Sequence, residues 1–181
     1  MLSDLQRRKL ATLFKLHDLD HDGILTRTDF EQYADRLAGA RGFRSGTAEH
    51  STLLASFITM WDGLGSKADT NRDKQVTLDE WLAYYDTLVH QPAMYEQVGA
   101  PIAKSVFGLL DANGDGVVTP DDYALLFGAG SADPQQAAAA FKRIDIDADG
   151  RVTPAELSRL LGEFFTSQNP EAPGNWLFGA F

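Results

Sequence analysis

The feature that most constrains this chain is a twelve-residue pattern that recurs four times in 181 residues: DLDHDGILTRTD at 18–29, DTNRDKQVTLDE at 69–80, DANGDGVVTPDD at 111–122 and DIDADGRVTPAE at 145–156. Such a unit governs a fold, because each copy is one supersecondary element that needs a neighbour to bury its apolar side. Apolar residues at helical spacing flank every copy. Leu10, Leu13 and Phe14 precede the first, and Phe30, Tyr33, Ala34 and Leu37 follow it. Trp61 and Leu64 lead into the second, and Trp81, Tyr84, Tyr85 and Leu88 lead out of it. The third lies between Val106, Phe107, Leu110 and Tyr123, Leu126, Phe127; the fourth lies between Phe141, Ile144 and Leu157, Leu160, Leu161, Phe164. Each unit reads helix, loop, helix.

The loops carry oxygen donors at fixed intervals. The chain has no cysteine, so disulfides and thiolate sites are excluded and any metal must be held by oxygen or imidazole, which favours a hard cation. Calcium takes about six to eight oxygens, and an EF-hand loop supplies them from side chains at positions 1, 3 and 5, the carbonyl at 7, often a water at 9 and a carboxylate at 12. Loop one offers Asp18, Asp20, Asp22 and Asp29 with the carbonyl of Ile24; Gly23 supplies the positive φ needed at position 6. Loop two offers Asp69, Asn71, Asp73 and Glu80 with the carbonyl of Gln75, but Lys74 stands where glycine is expected. Loop three offers Asp111, Asn113, Asp115 and Asp122 with the carbonyl of Val117, and loop four Asp145, Asp147, Asp149 and Glu156 with the carbonyl of Arg151.

A single acidic run is more often a solvated turn or helix cap, but four in-register copies with apolar flanks select the metal reading. Asp29 and Asp122 are one methylene shorter than the usual glutamate, which favours six-coordinate geometry and makes magnesium the competing ion there. Lys74 makes loop two the weakest, because a non-glycine left-handed residue costs roughly 1–2 kcal/mol. Three or four calcium ions are expected. Loop four, with no departure from the pattern, reads as the tightest site.

Position 8 of each loop is apolar (Leu25, Val76, Val118, Val152), which suits a short antiparallel strand joining loops in pairs. The predicted fold is all-α: four EF-hands in two pairs, in a compact two-lobed arrangement. Residues 1–91 form the first pair and 102–181 the second. The prolines and glycine of HQPAMYEQVGAP predict a bent junction over 92–101. The connection AGARGFRSGTAEH leads into a longer helix over about 48–63, and Asp133 with Pro134 opens the helix before loop four. The apolar tail Trp176, Leu177, Phe178 and Phe181 is expected to dock on the protein's own core.

Over essentially its whole length the chain resembles the sarcoplasmic calcium-binding protein family and its bacterial relative calerythrin. The loops carry the resemblance, with the Asp-ended first loop followed by Phe30, the Trp61–Asp62 pair, the Pro92–Pro101 junction and the tail GNWLFGAF at 174–181. It implies a compact cytosolic protein that buffers or shuttles calcium and magnesium. A calcium sensor with a protein target is the alternative; however, sensors open Met-rich grooves, and this chain has three Met, of which Met60 and Met94 cannot line two. The remoter alternative is a coelenterazine-type chromophore protein using Trp61, Trp81, Tyr84 and Tyr85, although these fall at core positions.

The net charge of −10 argues against nucleic acid as a partner. No uninterrupted apolar run suggests a signal peptide or membrane span, so the expected setting is cytoplasmic, as a monomer that requires no protein target. The histidines at 17, 21, 50 and 90 are scattered, and no catalytic motif appears, so enzymatic activity is not expected.

Overall fold

The computed structural model describes residues 1–111, 113–129 and 134–179. Among them are eight α-helices: α1 Asp4–His17, α2 Arg27–Ala40, α3 Ala48–Ala68, α4 Leu78–His90, α5 Pro92–Leu110, α6 Pro120–Ala129, α7 Pro134–Ile144 and α8 Pro154–Thr166. Two-residue strands β1 (Ile24–Leu25) and β2 (Val76–Thr77) pair antiparallel, with Leu25 opposite Val76. Val118 and Val152 exchange two backbone hydrogen bonds of 2.9 Å in the other pair of loops. All four position-8 side chains are buried, so the apolar residue that pairs the loops also plugs the top of each lobe.

Local sequence explains most boundaries. Ser3 and Gln6 form a reciprocal capping box at the start of α1. Thr47 caps α3, which begins at Ala48 as expected but runs to Ala68 rather than stopping near Gly63. The segment 92–101, read from sequence as a bent junction, is instead the first half of α5, with Pro101 inside the helix. Pro92 opens that helix where no backbone donor is needed, and the residue before a proline is driven out of the α region. The break therefore falls on Gln91, at φ −120° and ψ 84°. Helix α7 begins at Pro134; Asp133, its expected cap, lies outside the described residues.

The two lobes share their buried surfaces. The Tyr33 hydroxyl donates to the Leu126 carbonyl at 3.0 Å. The rings of Tyr85 and Phe165 stack at 5.2 Å. Gln6 Nε2 donates to the Phe165 carbonyl at 3.1 Å. Lys9 of α1 is completely buried, and an unpaired ammonium there would be costly. Its three donors are met by Asn175 Oδ1 (2.8 Å) and the carbonyls of Ser167 (3.1 Å) and Glu163 (3.3 Å). Burial nevertheless pushes its pKa down to about 8, the nearby Glu163 charge opposing the shift.

The tail folds back onto the second lobe, as expected for the part described. A 3₁₀ turn at Pro173–Trp176 packs against α7 and α8. Leu177 is buried, Phe178 meets Phe164 edge-on at 4.8 Å, and the Tyr123 hydroxyl lies 3.1 Å from the carbonyls of both Trp176 and Leu177. Phe181 lies outside the described residues. No described helix is long and apolar enough to cross a membrane.

Candidate metal sites

Each loop starts at the C-terminal end of a helix, where the position-1 aspartate serves as the C-cap or directly follows the last helical turn. That aspartate then organises the turn. One oxygen accepts the backbone N–H of position 6: Gly23 to Asp18 at 3.1 Å, Lys74 to Asp69 at 2.9 Å, Gly116 to Asp111 at 3.0 Å and Gly150 to Asp145 at 2.9 Å. All four position-6 residues have φ between 66° and 84°. Position 5 accepts from the N–H of position 7 at 2.8–3.0 Å in every loop, which turns that residue into the short strand or bridge.

The first and fourth loops gather negative charge most closely. Carboxylate oxygens of Asp18, Asp20 and Asp29 lie within 4.8 Å of one another, as do those of Asp145, Asp147 and Asp149. Asp22 and Glu156 belong to their loops but not to these tight groups. In both clusters Oδ1 of the position-1 aspartate is buried without a hydrogen-bond partner. Leaving such an oxygen unsatisfied costs about 1–3 kcal/mol, more when it is charged, and a hard cation among the same carboxylates would remove that cost. The donor set therefore fits calcium.

The second and third loops solve the repulsion differently. Asn71 Nδ2 donates to Asp73 Oδ2 at 2.9 Å, and Asn113 Nδ2 donates to Asp115 Oδ2 at 3.0 Å. An amide thus stands between acids, and a cation bound there would compete with these internal bonds. In the second loop Glu80 accepts from Thr70 and Thr77, and the Thr77 backbone N–H is the main cause of a carboxyl pKa depressed to about 2.

Two features of the loops went unread in the sequence. Position 9 is threonine in all four, and its backbone N–H and hydroxyl both donate to one oxygen of the position-12 acid: Thr26 to Asp29, Thr77 to Glu80, Thr119 to Asp122 and Thr153 to Glu156, at 2.6–3.1 Å. The signal was present as a threonine followed three residues later by an acid, the capping-box pattern that opens each exiting helix. Position 4 is left-handed as well, in His21, Arg72, Gly114 and Ala148, and only the third loop has glycine there.

His17 and the tryptophans pack against other rings. His17 is half-buried against Phe30 at 5.2 Å, and desolvation pushes its pKa down. Trp81 donates its indole N–H to the Leu10 carbonyl at 3.0 Å and meets Tyr85 at 4.7 Å; Trp61 packs on Phe30 at 5.5 Å. Of the four aromatics considered for a chromophore, only Trp61 borders the cavity of about 330 Å³ beside the second loop, whose other walls are Asp62, Gly65, Ser66, Asp69, Arg72 and Lys74.

Comparison with known proteins agrees with this geometry. The EF hand family model matches residues 102–127 and 137–161, and the EF-hand domain pair model matches residues 1–37. Calerythrin of Saccharopolyspora erythraea is 30% identical over 146 residues, covering 80% of this chain and 82% of that protein. The sarcoplasmic calcium-binding protein of Hediste diversicolor is 32% identical over 147 residues, covering 76% of each. The chain belongs to the calerythrin and sarcoplasmic calcium-binding protein family. These relatives are calcium-binding proteins rather than enzymes, and this family member is a calcium-binding EF-hand protein. Among solved structures, a Streptomyces coelicolor calcium-binding protein described in terms of prokaryotic calcium-mediated regulation superposes with TM-score 0.73 at 26% identity, covering 89% of this chain and 98% of that one. The coelenterazine-binding protein of Renilla muelleri superposes with TM-score 0.82 at 18% identity over 99% and 100% of the two chains, a likeness of fold alone.

Proposed function

We propose that this family member is a calcium buffer that holds three or four ions at its loops through the side chains at positions 1, 3, 5 and 12 and the carbonyl at position 7. It acts as a cytoplasmic monomer made of two EF-hand pairs, with magnesium competing at the loops that end in Asp29 and Asp122. What carries the buffer reading is that the apolar surface a sensor would offer a target is already covered from within. The tail seals α7 and α8, Tyr85 stacks on Phe165 across the lobes, and Met1 and Ile146 are the large apolar side chains left exposed among the described residues. Association with a target would have to displace these contacts first.

The chain's residues bind in a defined order of tasks. In the first and fourth loops the position-1 aspartate supplies a preformed, desolvated oxygen; in all four, positions 3 and 5 add donors and the position-12 acid, oriented by its threonine, completes the set. Bound calcium supplies charge neutralisation and stabilises the folded state by mass action. The Streptomyces relative favours a second reading, a sensor in which calcium releases the tail.

Calorimetric titration of the chelated protein with calcium, with and without millimolar magnesium, tests both readings when 8-anilinonaphthalene-sulfonate binding is followed in parallel. A buffer binds less dye as calcium saturates, and magnesium weakens calcium binding at two of the sites. Dye binding that rises with calcium would replace the buffer with the sensor.

A further inference from the structure

Arg41 is the C-cap of α2 in the first lobe, yet its side chain reaches into the second. Its Nη2 donates to the carbonyl of Leu109, two residues before the first ligand position of the third loop. Its Nε is buried without a hydrogen-bond partner, so part of this half-buried guanidinium is withdrawn from water. Desolvation lowers its pKa, while the carboxylates of Asp122 and Asp111 support its charge. Those two acids stand at positions 12 and 1 of the third loop, its opposite ends.

We propose that Arg41 sets the calcium affinity of the third loop from across the lobe interface, and thereby ties the filling of that loop to the packing of α2 against α6. This rests on the reading of 111–122 as a metal site. A cation beside the acids at the two ends of this loop lowers their mutual repulsion when no metal is present. The same charge opposes a divalent ion arriving among them, and partial burial limits screening by salt. Asp122 sharpens the effect, because the short acid has less reach with which to offset that opposition. Coupling is reciprocal: if Arg41 weakens binding, binding must weaken the hold of Arg41 on Leu109 and loosen the α2 contact.

A purely structural role predicts the opposite sign. An arginine that only satisfied the end of α5, where a cation suits the helix dipole, would on removal disorder the entry to the loop and weaken binding.

The test is a calcium titration of chelated wild-type protein, Arg41→Met and Arg41→Lys, followed by amide NMR. The position-6 glycines serve as separate reporters: Gly116 for the third loop, Gly23 and Gly150 for the first and fourth. In Arg41→Met the calcium concentration at the Gly116 midpoint should fall roughly tenfold while that of Gly150 moves less than about twofold; Arg41→Lys, which keeps the charge, should stay near wild type. In the wild-type protein the Arg41 Nε–H signal should move in step with Gly116. An unchanged or raised Gly116 midpoint in Arg41→Met, or equal shifts at all three glycines, overturns the proposal. Should Arg41→Met not fold, an Arg41 Nε–H signal that stays still in wild type while Gly116 saturates overturns it equally. A Gly116 amide that never responds to calcium in wild type removes the metal assignment of 111–122, and the proposal with it.

Discussion

Lys74 adopts φ +66° and already donates its N–H to Asp69 at 2.9 Å, the same bond the glycines make in the other three loops. That internal hydrogen bond can hold the left-handed backbone without an ion. The strain of a non-glycine residue there, roughly 1–2 kcal/mol, is charged to folding rather than to binding. Substituting glycine removes that strain but adds unfolded-state freedom worth roughly 0.5–1 kcal/mol. Lys74→Gly should therefore stabilise the calcium-free protein by about 0.5–1 kcal/mol, a rise in melting temperature of about 1–4 °C for a chain of this size. Its effect on calcium binding by the second loop should be small, within about threefold, because the exposed ammonium that is lost is well screened. Thermal unfolding in chelator and calorimetric titration with calcium measure the two quantities separately. Unchanged stability together with affinity raised about tenfold or more would show that the strain arises on binding, and the reasoning would fail.

Two further substitutions probe the clasp between the chain's ends. Lys9 has a folded pKa of about 8 against 10.5 in an unconstrained chain, so between these values the unfolded state binds more protons and stability rises with pH. Urea unfolding should show wild type gaining about 2 kcal/mol relative to Lys9→Met between about pH 7.5 and pH 10. The wild-type trend reverses as pH approaches 10, because burial raises the phenol pKa values of Tyr33, Tyr85 and Tyr123 and their ionisation favours the unfolded chain. A difference from Lys9→Met that stays flat to pH 10 would refute the burial argument for Lys9. In Gly174→Ala the added methyl would run into the Leu160 carbonyl oxygen and stand 2.5 Å from Glu163 Cβ and 3.0 Å from the Phe164 nitrogen. The tail should lift from α8, with a loss of about 2–4 kcal/mol and new dye binding in chelator; unaltered stability would show that the tail does not seal this face.

The geometry of the four twelve-residue loops was legible in the sequence because everything that shapes them is local. Twelve consecutive residues contain the donors, the left-handed turn, the apolar plug at position 8 and the threonine–acid cap, so spacing alone places each one. The threonines could have been read from the same pattern and were not. The junction was harder: two prolines promised a break over 92–101, but a proline tolerated as the first residue of a helix and another carried within it leave only Gln91 out of line. No pattern in the sequence indicates that Lys9 would be enclosed by Asn175 and two carbonyls 154 and 158 residues away, or that Gly174 must lack a side chain because α8 lies against it. Nor does any indicate that Arg41, in the connection after α2, would donate to the Leu109 carbonyl near the end of α5. Those facts depend on how the two lobes close on each other. That closure comes from non-directional burial of apolar faces, which the sequence marks as apolar without saying which face meets which.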